Sequence, residues 1–181
     1  RIGGPEAAKR LADYAVREGA PDSMRVEAIS TLGVWSNPPE LDRVTGRYRG
    51  QPDLNPEHAR EALAAIIDPL LGSSNEPIRI ASIQSISNLD YQPALEKIFA
   101  HLQDDGSPDV RAAALKALQT MKFNQIEEAI AIALDDQSEQ VRMSALGLTP
   151  TLELTDQQIV DLLSPVLDSG GQEEQQVVLK T

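Results

Sequence analysis

Apolar residues recur at helical spacing along nearly the whole chain, as in Val110, Ala113, Ala114, Ala117, Leu118 and Met121. One short pattern returns four times: DSMRVEAISTL from Asp22, EPIRIASIQSI from Glu76, PDVRAAALKAL from Pro108 and EQVRMSALGLT from Glu139. Each has an apolar residue, then arginine (Arg25, Arg79, Arg111, Arg142), then small and aliphatic residues three and four positions on. A degenerate fifth copy puts Gln175 in the arginine place, followed by Val178 and Leu179. Steps of 32, 31 and 33 residues separate positions 79, 111, 142 and 175, which is the signature of a repeat architecture.

A second helical pattern precedes each copy. These begin at Pro5 (PEAAKRLADYAV), Pro56 (PEHAREALAAIIDPLL), Ala94 (ALEKIFAHL), Ile126 (IEEAIAIAL) and Thr155 (TDQQIVDLLSPVL). Ser107 and Thr155 are placed to cap helices, and Pro56 and Pro108 sit where a first-turn proline is tolerated. Pro69 and Pro165 each lie ten residues before the arginine position, which supports the register and predicts a kink in both first helices. Acidic residues seven before that position (Glu18, Asp104, Asp135, Asp168, with Gly72 the exception) are expected to pair with the arginines along the stack.

Helix pairs at this period, with xVRxxAxxAL in Val110–Leu118 and Val141–Leu146, resemble HEAT-like repeats. The resemblance implies an all-α, right-handed α-solenoid of about five pairs. Periodicity alone shows stacked helix pairs that bury one another's apolar faces. Residues 1–181 are expected to form one such repeat domain, and the chain reads as a piece of a longer polypeptide.

One spacing departs from the period. Arg25 to Arg79 is 54 residues, so an insertion of about residues 33–55, beginning GVWSNPPELDRVTGRYRG, lies between the first and second pairs. Stretches of this length without periodicity are usually functional or disordered. Trp35, Leu41, Val44 and Tyr48 are apolar enough to fold back on the helices, with Trp35 capping the end of the stack. Trp35, Arg43, Arg47, Tyr48 and Arg49 also form a candidate docking epitope, since arginine and aromatic residues anchor many protein interfaces. The two readings are compatible.

This stretch is also similar to segments of large exported bacterial proteins that join a sugar-dehydrogenase-like β-propeller, a HEAT-like region and a c-type cytochrome domain. That resemblance rests on residues 35–49. It implies a structural spacer within an extracytoplasmic oxidoreductase, with any haem held elsewhere, because no CxxCH is present.

Charge and chemistry narrow the remaining classes. A net charge of −12 disfavours nucleic acid and anionic membranes and favours basic protein partners, whether separate or adjacent domains of the same chain. The sequence has no cysteine and no apolar run of membrane-spanning length. His58 and His101 lack ligand spacing, and DDGSPD lacks the alternation of a calcium loop. No phosphate loop or nucleophile elbow appears. No catalytic, metal or cofactor residue is assigned, and the expected function is non-catalytic scaffolding.

Overall fold

The computed structural model describes residues 3–41, 45–48, 50, 53–151 and 155–180. Among them lie eleven α-helices and no strand, apart from one isolated antiparallel bridge between Leu41 and Tyr48. The chain divides into two compact units that meet in sequence at Ala94 and Leu95.

The first unit holds α1 (Pro5–Ala15), α2 (Asp22–Gly33), α3 (Pro56–Ala64), α4 (Ile67–Leu71) and α5 (Glu76–Asn88). Here α1 pairs with α2, and α3 with α4 continues the same role before α5. In the second unit α6 (Leu95–Asp104) pairs with α7 (Pro108–Thr120), α8 (Ile126–Leu134) with α9 (Glu139–Leu148), and α10 (Asp156–Ser169) with α11 (Gln172–Val178). The helix pairs are those the periodicity predicts.

Local chemistry starts the helices where they begin. Asn75 and Ser107 accept the backbone N–H of Ile78 and Val110, and Thr155 forms a reciprocal capping box with Gln158. Prolines at Pro5, Pro56, Pro77 and Pro108 occupy first-turn places where the missing N–H costs nothing. The two interior prolines behave differently from one another. Pro69 follows a break at Ala65–Ile66, because its ring removes the hydrogen bond that the carbonyl of Ala65 would accept. Around Pro165, by contrast, α10 runs on as one helix.

Exits from α5 and α7 share one device. Tyr91 N–H donates to the Ile86 carbonyl and Asp90 N–H to Ser87; Phe123 donates to Leu118 and Lys122 to Gln119 in the same way. These are Schellman turns, whose penultimate residue must be left-handed. Asp90 (φ 50°) and Lys122 (φ 55°) fill that place without being glycine.

The core is aliphatic and small. Ala8, Ala59, Ala114, Ala129, Ala133 and Ala145 are fully buried among Ile and Leu, which lets helix axes approach closely. In the first unit α2 and α5 approach closely. The Ser85 hydroxyl donates to the Ile29 carbonyl at 2.9 Å, and a Cβ on Gly33 would lie 2.8 Å from Ser85 Cα. In the second unit Phe99 and Phe123 pack with ring centroids 5.2 Å apart.

Two substitutions test this account by urea denaturation. Gly33→Ala should destabilise the protein by about 1–3 kcal/mol, because the obstruction is backbone rather than a flexible tip. Lys122→Gly should stabilise it by about 0.5–1 kcal/mol, relieving left-handed strain at an exposed site. Lowered stability in the glycine variant would show that the turn carries no such strain.

Candidate functional site

Each inter-helix turn of the second to fourth pairs is built on one spacing. An acceptor side chain takes the backbone N–H two residues later: Ser73 from Asn75, Asp105 from Ser107, and Asp136 from Ser138. Six residues after the acceptor, arginine Nη1 donates back to that residue's carbonyl. Arg79 reaches Ser73 at 2.8 Å, Arg111 reaches Asp105 at 2.7 Å and Arg142 reaches Asp136 at 2.7 Å. Arg25 differs: its Nε donates to the Ala15 carbonyl at 2.8 Å and its Nη1 to Asp22.

In the second unit the arginines also reach onward. Arg111 grips Asp136 through Nε and Nη2, both at 2.7 Å, and the two side chains are only 7% and 8% exposed. Arg142 Nε meets Glu174, 1% exposed, at 2.6 Å, while Glu174 also accepts the Gly171 N–H. The expected acidic residues are not the ones used. Asp135 is exposed, and the pairing falls to Asp136, one residue later, whose bond to Ser138 N–H turns it toward the stack. Glu18, Asp104 and Asp168 are likewise exposed, and the last pair supplies Glu174 from α11. The spacing D-x-S, six before arginine, was the available signal for Asp136. Glu174 had none.

These contacts set the local ionisation. The hydrogen bond from Arg142 is the main cause holding Glu174 below the usual carboxylate range, against burial. For Asp136 burial is the largest single influence and pushes upward. Arg111, the Ser138 N–H and the charge of Arg142 together outweigh it, so the carboxyl is lowered. Asp136 in turn raises Arg111 further above its ordinary value.

Between the fourth and fifth pairs a cleft of about 590 Å³ opens. In the second unit α11 packs on α9, and the cleft is lined from α8 and α10. The cleft is lined by Leu134, Leu162 and Val166, with Asp135 and Asp161 among its charged residues.

The insertion divides. Trp35 is 5% exposed, and its indole N–H is buried without a partner among the described residues. Leu41 and Tyr48, expected to fold back, instead project at 56% and 71% exposure, and Arg47 is exposed beside them. Arg43, Val44 and Arg49 lie outside the described residues. His101 Nδ1 meets Asp105 at 2.9 Å, and no three of His, Asp and Glu gather at metal-binding geometry among the described residues. No described helix is long and apolar enough to cross a membrane.

Helix pairs joined by a repeated arginine-gripped turn define an all-α repeat protein of the solenoid class. The family of HEAT repeats matches residues 16–119, more than half of the chain, and the protein belongs to that family. No curated protein matches it with significance.

The ion pairs carry a pH prediction. Asp136 and Glu174 have folded-state values below their ordinary 3.8 and 4.5, so their contribution is complete above those values. It is lost as pH falls through the lowered folded values. Urea midpoints should therefore hold above pH of about 5 and fall progressively below it, less steeply in Asp136→Asn/Glu174→Gln. At neutral pH Arg111→Ala should cost about 3 kcal/mol, since it strands a buried carboxylate. Identical pH slopes in wild type and double variant would remove these two groups from the account.

Proposed function

We propose that this domain is a non-catalytic interaction and scaffolding module, and that the connection between α2 and α3 is its partner-facing element. HEAT repeats generally serve protein interaction and scaffolding, which need an extended surface rather than a reactive centre. The observation that carries the reading is the division of the insertion into a buried root and an exposed tip. Trp35 is sunk in the protein, while Leu41, Arg47 and Tyr48 stand in solvent. An exposed tyrosine and arginine beside an exposed leucine is the composition of an interface anchor, not of a surface left to water. The sequence of the same connection also contains Arg43 and Arg49. The partner is a protein or a neighbouring domain, met through a basic, aromatic point on an otherwise acidic molecule.

Affinity capture from cell extract, quantified by mass spectrometry, tests the assignment with wild-type protein and Arg47→Ala/Tyr48→Ala. The two should have the same helical circular dichroism and melting temperature, because both side chains are exposed. A specifically captured protein should fall at least about fivefold in the variant, as expected for loss of anchor side chains. Equal recovery by both would place the contact elsewhere.

A further inference from the structure

We propose that the cleft between α8 and α10 is a second docking site, one that takes a basic amphipathic peptide segment. Its lining has two parts with different chemistry. Leu134 and Val166 are buried and Leu162 is half-buried, giving an apolar floor. Four carboxylates (Asp135, Asp136, Asp161 and Glu174) line the cleft against one guanidinium, that of Arg142. Two of the four are already neutralised: Asp136 by Arg111 and Glu174 by Arg142. Asp135, at the end of α8, and Asp161, on α10, are exposed and have no cationic partner among the described residues. Asp161 accepts only the side-chain amide of Gln157.

Two carboxylates without a cationic partner among the described residues, one at the end of α8 and one on α10, beside an apolar part of the lining, fit a lysine or arginine side chain. The methylene stem lies along Leu134, Leu162 and Val166, and the cationic head reaches the acids, the arrangement long basic side chains adopt at apolar surfaces. An anionic or purely apolar occupant would leave both acids unanswered or desolvated. At about 590 Å³ the space exceeds one side chain, so neighbouring aliphatic residues of the same segment enter with it. The net charge of −12 draws such a segment in and raises its encounter rate. This site is separate from the insertion and does not depend on it.

Fluorescence anisotropy with a labelled short peptide of lysine, leucine and alanine, titrated with the full chain, tests the site. Asp135→Asn/Asp161→Asn should weaken binding about tenfold, two charge contacts being lost together. Ala131→Trp, which plugs the cleft from an exposed position, should weaken it at least as much. Two controls should stay within about twofold of wild type. Asp13→Asn/Glu18→Gln removes equal charge from exposed sites in the first unit, and Arg47→Ala/Tyr48→Ala removes the insertion's tip. The proposal is overturned if the peptide fails to bind, if Asp13→Asn/Glu18→Gln weakens binding as much as the cleft pair, or if Ala131→Trp binds like wild type.

Discussion

In the second, third and fourth helix pairs, an arginine near the start of the second helix donates to the carbonyl oxygen six residues before it. The rest of the architecture depends on this contact. The last carbonyls of a helix have no partner within the helix, and a turn that leaves them open is free to vary its angle. By holding the carbonyl at the turn, the guanidinium fixes where the second helix starts relative to the end of the first. Within each unit the apolar stripes of neighbouring helices can then meet in register. In the second unit the hold extends outward: Arg111 grips its own turn and Asp136 of the next, and Arg142 grips the Asp136 carbonyl and then Glu174. Desolvation offsets much of the attraction in such buried pairs. Bulk stability therefore comes from the alanine and branched aliphatic faces, and the arginines decide which turn meets which.

Departures from this regularity are where surface chemistry collects. The connection after α2 adds residues that belong to no helix, and one buried indole roots them. At the other end of the chain, Gln175 replaces the arginine and donates instead to the Leu167 carbonyl. The turn before it is Gly170–Gly171 rather than a side-chain acceptor followed by a cap. Beside that turn lies the cleft lined from α8 and α10, with two acids that have no cationic partner among the described residues.

Much of the fold was legible because the repeat speaks several times. Five helix pairs, the caps at Ser107 and Thr155 and the position of the insertion all follow from spacing and local propensity. Four identically placed arginines marked the turns. At the fourth pair the answering carboxylate lies one residue beyond the expected one, because sequence spacing locates a turn but not which of two adjacent acids, Asp135 or Asp136, faces inward. That choice is made by the hydrogen bond to Ser138. Glu174 was beyond reach, since its partner is set by how α11 lies on α9. Leu41 and Tyr48 depart from expectation for a related reason: apolar character says what a residue tolerates, not whether space exists for it. The cleft was invisible, being a property of packing distance between helices far apart in sequence.

The buried indole of Trp35 has a consequence for how the molecule's unfolding can be watched. It is the chain's only tryptophan, it belongs to the first compact unit, and it is almost wholly shielded from solvent. An excited indole shielded from bulk water relaxes little, so its emission stays blue until the surrounding helices open. Tryptophan light therefore reports from within the first unit, whereas helical ellipticity sums over both. Any interval between the two signals during denaturation measures how far the units melt as separate bodies rather than as one.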